Sequence, residues 1–209
     1  KTSNDNVFAV IDKRPPFSDG LFPRGMDKLT WRKCSDCGLV FLSPRPTQTE
    51  ALSIYDEDYF EWEREKYRYN EFLTKIKLIE KHVAGGRLLD AGCGAGGFLR
   101  SLGDNWTMIG IDPSAAACSI ARNTAGVYVL NHSIEEFDAG TNVFDAVCMW
   151  DMIEHTHDPS VALEKASNAL RTGGVIGISC ALMSALLPVI AGKHWRFLNA
   201  PDHRFAFSF

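Results

Sequence analysis

The sequence contains no long run of basic residues and no second C-x-x-C pair. Its 22 lysines and arginines face 26 aspartates and glutamates, which gives a net charge of −4. Nucleic acid is therefore not a favoured partner, because phosphate binding calls for a basic patch. Residues 1–14 are polar and mixed in charge, so we expect no signal peptide. The six cysteines are mostly scattered singly, which argues against a disulfide scaffold and favours the reducing cytoplasm.

One uncharged stretch, residues 173–192, is long enough on paper to span a bilayer. It contains four glycines and Pro188, and it begins with the strand-like run Val175–Ile178. We interpret it as a buried strand followed by a short apolar helix or loop, without stable membrane insertion. A membrane span is the alternative, since periodicity alone does not assign apolar runs.

Residues 1–46 are predicted to form a loop-rich N-terminal segment. Prolines and glycines break any long element there, and one strand is expected near Leu29–Arg32. Cys34 and Cys37 form a C-x-x-C-G sequence between strand-like runs, a pattern typical of a zinc knuckle. A closed zinc site needs four ligands, so we expect no metal in this chain. A partner pair upstream of Lys1 is the alternative.

Residues 47–84 are predicted to form a helical arm. Apolar residues recur at helical spacing from Tyr69 to Val83, with Glu and Lys on the other face. An aromatic cluster precedes them and includes Tyr55, Tyr59 and Phe60. These rings either pack the arm onto the rest of the chain or form a lid over a ligand.

Residues 85–209 are predicted to form the core, because strand-like and helix-like segments alternate from residue 85 onwards. The predicted strands are Arg87–Asp90, Met108–Asp112, Val127–Leu130, Phe144–Trp150 and Val175–Ser179. The predicted helices cover Gly97–Leu102, run from Pro113 to about Asn123, and begin at Asp158-Pro159. This alternation predicts an α/β fold, a Rossmann-like doubly wound and mostly parallel sheet with helices on both faces. A ligand crevice is expected at the carboxyl ends of the strands.

A glycine turn follows the first of these strands. Gly92, Gly94 and Gly97 have the G-x-G-x-x-G spacing of dinucleotide-binding turns, in which backbone N–H groups and a helix N-terminus meet the ligand. Asp112 lies at a suitable distance to hold a ribose. Asp90, at the strand end, would repel a pyrophosphate but suits the cationic amino group of S-adenosylmethionine, which has no phosphate. The alternative is that Asp90 only caps the turn.

Several motifs resemble those of class I S-adenosylmethionine-dependent methyltransferases. They are Asp90-Ala-Gly-Cys-Gly-Ala-Gly96, Asp112-Pro113 and Trp150-Asp-Met-Ile-Glu-His155. The small-molecule branch of that family is similar in further motifs, namely C-x-x-C-G-Leu-Val-Phe-Leu, Pro-Arg-Pro, Tyr55-Asp-Glu-Asp-Tyr-Phe60, Gly192-Lys-His-Trp195 and Pro201-Asp-His203. The resemblance covers most of residues 34–209.

The sequence departs from that branch in three ways. The upstream cysteine pair is absent, and Cys180-Ala181 stands where Pro-Asn is usual. The chain also stops at Phe209, before the last two strands that such folds normally have.

The resemblance implies a donor site for S-adenosylmethionine as cofactor. Asp90 and the backbone of the glycine turn would hold its methionine part, Asp112 its ribose, and Trp150 would lie beneath its sulfonium. The residues implied for the donor are Asp90, Gly92, Gly94, Asp112, Pro113, Ser133 (or Glu135), Ile134, Trp150 and Tyr59. For Ile134 and Trp150, packing in the core is an equal alternative.

The implied activity is methylation of a small-molecule acceptor by in-line displacement, with O-methylation of a sugar or secondary metabolite favoured. The acceptor must lie about 3–3.5 Å from the methyl group. A hydroxyl acceptor needs a base, for which His155 is the first candidate and His203 the second. Hydrogen bonding within a turn is the alternative for His155.

The apolar segment Ala181–Ala191, with Trp195 and Phe197, is expected to cover a hydrophobic mouth of the acceptor site. An NAD(P)-dependent oxidoreductase and a non-catalytic nucleotide-binding module are the other functions considered. No feature of the sequence predicts an oligomeric state.

Overall fold

The computed structural model describes residues 6–11, 29–55, 59–60, 68–180, 182–184, 190–191, 195–199 and 202–208. The chain divides into two compact units, which we name after their sheets. The four-stranded unit comprises Lys1–Ile54, Glu154–His157 and Cys180–Phe209. The five-stranded unit comprises Tyr55–Ile153 and Asp158–Ser179.

The elements are numbered in chain order. The strands are β1 (Asn6–Ile11), β2 (Leu29–Lys33), β3 (Val40–Leu42), β4 (Gly86–Ala91), β5 (Trp106–Ile111), β6 (Val129–Leu130), β7 (Phe144–Trp150), β8 (Leu170–Ser179) and β9 (Phe205–Ala206). The α-helices are α1 (Gln48–Leu52), α2 (Tyr69–Glu80), α3 (Gly97–Arg100), α4 (Ala115–Ile120) and α5 (Pro159–Ala169). Short turns of 3-10 or π type cover Ala121–Ala125, Ile153–His155 and Arg196–Asn199.

The five-stranded sheet is parallel throughout, in the order β6-β5-β4-β7-β8. Along the chain, β5 and β6 are added on one side of β4, and β7 and β8 are then added on its other side. Ligands of such sheets bind where the strand order reverses, at the carboxyl ends of the strands. The reversal lies between β4 and β7, where Asp90 pairs with Cys148.

Side chains of β4 and β7 alternate between two apolar clusters. Leu88 and Cys148 pack with residues of α2, α3 and α4. Leu89 and Val147 pack with the alanines of α5. Successive side chains of a strand point to opposite faces, so helices cover both sides of the sheet. The predicted Rossmann-like fold is confirmed.

Several boundaries differ from the predicted ones. The strand β8 begins at Leu170, because that residue pairs with Phe144 before an irregularity shifts the register. The helix α3 has only four residues, and β6 has two. The helix α5 begins as predicted, with the Asp158 side chain accepting the N–H groups of Ser160 and Val161.

The four-stranded sheet is antiparallel, in the order β1-β2-β3-β9. The predicted strand near Leu29 is confirmed, whereas β1 was not predicted. The Trp31 side chain is fully buried, and its indole N–H donates to the carbonyl of Leu198 at 2.9 Å. Because β9 pairs with β3, residues 180–209 belong to the same unit as residues 1–54. The predicted core of residues 85–209 is therefore divided between the two units.

The uncharged stretch enters the sheet with Val175–Ile178 in β8, as predicted. Its residues 181, 185–189 and 192 lie outside the described part of the chain. Trp195 and Phe197, expected near the mouth of the acceptor site, pack against the core of the four-stranded unit. Among the described residues, no helix is both long enough and apolar enough to cross a membrane.

We expect Gly92→Ala to destabilise the five-stranded unit more than Gly126→Ala does. Both glycines have positive φ, 75° and 65°, which costs an alanine about 1–2 kcal/mol. A Cβ on Gly92 would lie 2.3 Å from Met152 Cγ, whereas no atom of the described residues lies within 4 Å at Gly126. Overpacking should add about 1–3 kcal/mol at Gly92 only. Urea unfolding of both variants measures the difference, and equal losses would contradict the packing argument.

Candidate functional site

The glycine turn is fastened to the end of β5 through its own N–H groups. Gly92 and Cys93 both donate to the carbonyl of Ile111, at 2.8 and 3.0 Å. Gly94 donates to Asp112 Oδ2 at 2.9 Å, and Gly96 donates to the carbonyl of Cys93. These four N–H groups are hydrogen-bonded within the chain, so they are not directed at a ligand. What this part of the turn can offer a ligand is carbonyl oxygens, which accept hydrogen bonds.

The helix after the turn is also a weaker anion site than expected. A helix of four residues has few aligned peptide dipoles, so its N-terminus carries little positive charge. Both findings disfavour a pyrophosphate at the glycine turn. A ligand that donates hydrogen bonds, such as an ammonium group, fits the carbonyls better.

Asp112 lies directly after β5 and joins the glycine turn to the next helix. Its Oδ1 accepts the N–H of Ser114 at 2.8 Å, while its Oδ2 accepts that of Gly94. Ser114 in turn caps α4 by accepting the N–H of Ala117.

Asp90 is a buried carboxyl group at the end of β4, with 2% of its surface exposed. Burial raises its pKa to about 8, the charge of Lys75 works against this, and the charge of Asp112 adds to it. No hydrogen bond is among the causes of this pKa shift. A neighbouring cation would favour its ionised form.

A network of charged side chains is centred on Asp151, the residue directly after β7, and extends to Trp150. Lys75 Nζ is 5.1 Å from the Trp150 ring centre and 3.3 Å from Asp151 Oδ2. Arg68 Nη2 lies 2.5 Å from the same oxygen. Burial opposes ionisation of Asp151, but hydrogen bonds from Ser179 and Arg68 and the nearby positive charges lower its pKa to about 2. This network was not predicted.

Lys75 is buried, although its helix was expected to present Lys and Glu to solvent. It also lies 2.7 Å from Glu71 Oε1, one helical turn earlier. The i,i+4 spacing of Glu71 and Lys75 was a visible signal for this pair. Its link to Asp151 joins α2 to the end of β7, which no local pattern could indicate.

The remaining donor residues differ in their surroundings. Ile134 is buried in the cluster that contains Leu89, as the packing alternative required. Ser133 exchanges hydrogen bonds with Glu136. Trp150 is packed against the opposite cluster, and its indole Nε1 is buried with no hydrogen-bond partner among the described residues.

The aromatic cluster is attached to the donor side of the five-stranded unit. Tyr59 packs edge-on against Tyr55 and Phe60, with ring centres 5.0 and 5.1 Å away. The carbonyl of Tyr55 accepts the hydroxyl of Ser114, two residues after Asp112. The backbone of Tyr55 is thereby held at the start of α4, and Tyr59 packs against the Tyr55 ring.

The two predicted catalytic histidines lie together in the four-stranded unit. Their ring centres are 4.8 Å apart. His155 Nδ1 is 3.0 Å from the carbonyl oxygen of Asp202 and 3.6 Å from its Oδ2. His203 Nδ1 is 2.7 Å from the carbonyl oxygen of Phe197, whose ring stacks on the histidine at 3.6 Å. Asp202 was not singled out, although the Pro201-Asp-His203 motif contains it.

The C-x-x-C sequence forms the turn between β2 and β3. Cys34 donates its N–H to Leu39 and accepts that of Gly38, whose φ is 74°. Backbone N–H groups of Cys37 and Asp36 lower the pKa of Cys34. All six cysteines are free thiols. The zinc-knuckle interpretation stays a prediction.

Three comparisons describe what this chain is similar to. A Thermotoga maritima structure, described as a SAM-dependent methyltransferase and "possible histamine N-methyltransferase", is 27% identical with a TM-score of 0.57, covering 71% of this chain and 70% of that one. The ubiquinone biosynthesis O-methyltransferase of Coxiella burnetii is 26% identical over 138 residues, 61% of this chain and 59% of that protein. The tRNA U34 carboxymethyltransferase of Methylococcus capsulatus is 35% identical over 132 residues, 59% of this chain and 38% of that protein.

The chain therefore spans at most about three fifths of the length of these curated relatives. A family model described as a methyltransferase domain matches residues 60–208. Because that match extends over well more than half of the sequence, the chain belongs to this family of methyltransferase domains.

Proposed function

We propose that the protein binds S-adenosylmethionine in its five-stranded unit and transfers the methyl group to a small-molecule acceptor. The observation that carries the proposal is the buried carboxyl group of Asp90, next to a turn in which four N–H groups are bonded within the chain. Together they suit the ammonium group of the donor. Asp112 lies at the end of the neighbouring strand, and the ribose hydroxyls are proposed to donate to its carboxylate.

The proposed donor site keeps the predicted residues in their predicted roles. Asp90 and the carbonyl oxygens of Gly92 and Gly94 hold the methionine part, and Trp150 lies beneath the sulfonium. The residues proposed for the ribose, the adenine and the lid are Asp112, Pro113, Ser133, Ile134 and Tyr59. The attachment of Tyr55 to Ser114 supports the lid, because it holds the aromatic cluster beside the start of α4.

The structure of the glycine turn argues against the alternative function, an NAD(P)-dependent oxidoreductase. A pyrophosphate is bound by free N–H groups and a helix N-terminus, whereas four N–H groups here are already bonded and α3 is a single turn. Asp90 adds a carboxyl group that would repel phosphate once it is ionised. The family assignment agrees with a methyl donor.

The acceptor is proposed to be a small molecule that is methylated on oxygen. One relative is an O-methyltransferase of ubiquinone biosynthesis, and another acts on tRNA. The net charge of −4 disfavours a nucleic acid, because phosphates are bound by basic surfaces. The cytoplasm is the proposed compartment, with six free thiols as support.

In the proposed reaction, the acceptor oxygen attacks the methyl carbon while the carbon–sulfur bond breaks, and S-adenosylhomocysteine leaves. The positive charge of the sulfonium disappears in the transition state, so the protein needs mainly to position the acceptor. The hydroxyl must lose its proton. We propose that His155 and His203 activate the acceptor, since they form one cluster and are the predicted catalytic residues.

We expect Asp112→Ala to abolish donor binding. Hydrogen bonds to a charged group are each worth roughly 1.5–3 kcal/mol, so losing two should weaken binding by about 100-fold or more. Calorimetric titrations with S-adenosylmethionine, S-adenosylhomocysteine and NAD measure this. Asp138→Ala is the matched control, because Asp138 is an exposed loop residue of the same unit. An unchanged affinity in Asp112→Ala, or binding of NAD alone, would contradict the proposal.

We expect Asp90→Asn to remove a pH dependence of stability. Between its ordinary pKa of 3.8 and the raised value of about 8, the folded protein holds a proton that the unfolded chain has released. Unfolding then releases a proton, so this group lowers the free energy of unfolding as pH rises, by up to about 1.4 kcal/mol per pH unit.

Urea unfolding from pH 5 to pH 9 tests this. The stability of Asp90→Asn relative to the parent should increase up to about pH 8 and then level off. Affinity for S-adenosylmethionine should fall by about 10- to 100-fold, because the ammonium loses a charged partner. A constant stability difference with unchanged affinity would remove Asp90 from the donor site.

We expect His155→Gln and His203→Gln to lower the rate of methyl transfer by about 100-fold or more, with S-adenosylmethionine still bound. Release of S-adenosylhomocysteine with a panel of phenol, sugar and amine acceptors provides the measurement. His157→Gln is the control, since His157 is an exposed residue two positions away. Full rates in both variants would exclude these histidines. Donor binding without turnover of any acceptor would favour a non-catalytic module.

A further inference from the structure

We propose that His155, Asp202 and His203 bind a divalent transition-metal ion, for which zinc is the best match. One ring nitrogen of each histidine and a carboxylate oxygen of Asp202 lie within 4.8 Å of one another. In the described part of the chain, this is the only such cluster. All three residues belong to the four-stranded unit.

The hydrogen bonds of the two rings assign the ligand atoms. His155 Nδ1 lies 3.0 Å from the carbonyl of Asp202, and His203 Nδ1 lies 2.7 Å from that of Phe197. A carbonyl only accepts, so each Nδ1 carries the hydrogen and each Nε2 has the lone pair. Metal-binding histidines characteristically donate their second ring N–H to a carbonyl or carboxylate, which fixes the ring and its tautomer.

The surroundings of the cluster hold both ligand segments in place. The His203 ring stacks on Phe197, which stacks on Trp195. The N–H of Arg204 donates to the carbonyl of Glu154 at 2.9 Å, which ties the two segments together beside the ligands. Side chains held in this way lose less entropy when an ion binds.

The ligand set is that of an open metal site. Two imidazoles and one carboxylate leave a fourth position for water or substrate, as in catalytic zinc sites. Zinc binds such ligands at about 2.0–2.2 Å, so ligand atoms of a filled tetrahedral site lie about 3.3 Å apart. The ligand atoms must therefore move closer together when an ion binds, which rotations of the side chains can supply.

The sequence did not indicate this metal site, because its residues are far apart in the chain. His155 and His157 have no third ligand nearby in the sequence, and Asp202 follows His155 by 47 residues. Metal binding itself rests on the four-stranded unit alone. Its use rests on the proposed function: an ion there would lower the pKa of a hydroxyl bound at the fourth position, and the proton would pass to water because the ligating histidines could not accept it.

The test is a zinc and cobalt titration of the 209-residue chain carrying Cys34→Ser and Cys37→Ser, because those thiols could bind zinc themselves. Calorimetry should show one zinc ion per chain. Co²⁺ should give visible bands without the thiolate charge-transfer absorption. In the same background, His155→Gln and His203→Gln should each weaken binding by at least about 100-fold, and His157→Gln should have no effect.

Unchanged zinc affinity in His203→Gln would overturn the inference, as would loss of all binding when Cys34 and Cys37 are replaced. Histidine NMR signals provide a measurement that does not depend on the folding of a variant. Co²⁺ should broaden those of His155 and His203. Titration with S-adenosylmethionine is done in parallel. Intact donor binding without zinc binding refutes the metal site alone, and the reverse refutes the proposed function alone.

Discussion

The carboxylate of Asp112 holds the glycine turn against the end of β5, and the donor side of the five-stranded unit depends on that attachment. It accepts the N–H of Gly94 with one oxygen and that of Ser114 with the other. The Ile111 carbonyl takes two further N–H groups of the turn. Four N–H groups of the turn are thus used within the chain. This arrangement supports the proposal of a cationic ligand that donates hydrogen bonds.

Asp90 completes this electrostatic arrangement. A carboxyl group buried at the end of a central strand is costly to ionise, and Asp112 nearby makes ionisation harder. Lys75 offsets part of that cost from α2, while Asp151 holds the same lysine in place. At neutral pH the Asp90 carboxyl group is mostly protonated, and a cation bound beside it would favour its ionised form.

The sequence predicted long, strongly patterned elements well and short ones poorly. β7 has the predicted bounds, because seven consecutive residues suited to a buried parallel strand leave little ambiguity. α3 and β6 lie within their predicted bounds but are shorter, and β1 was not predicted, since two to six residues carry little periodicity. The donor residues stay a prediction, which rests on sequence motifs. The contacts of Lys75 with Asp151 and of Asp202 with His155 could not be predicted, because these partners are distant in the sequence and meet only through the fold.

The pairing of β3 with β9 has a consequence for how the chain can be divided. The matched family region, residues 60–208, includes β9 but excludes β2 and β3. A fragment cut at that boundary would keep Leu198 and Ala206 without Trp31, Val40 and Leu42, the residues that bury them. It would also expose the backbone edge of β9, and an unpaired edge promotes aggregation. The bounds of the matched family region therefore differ from the bounds of the segment that packs together in this protein.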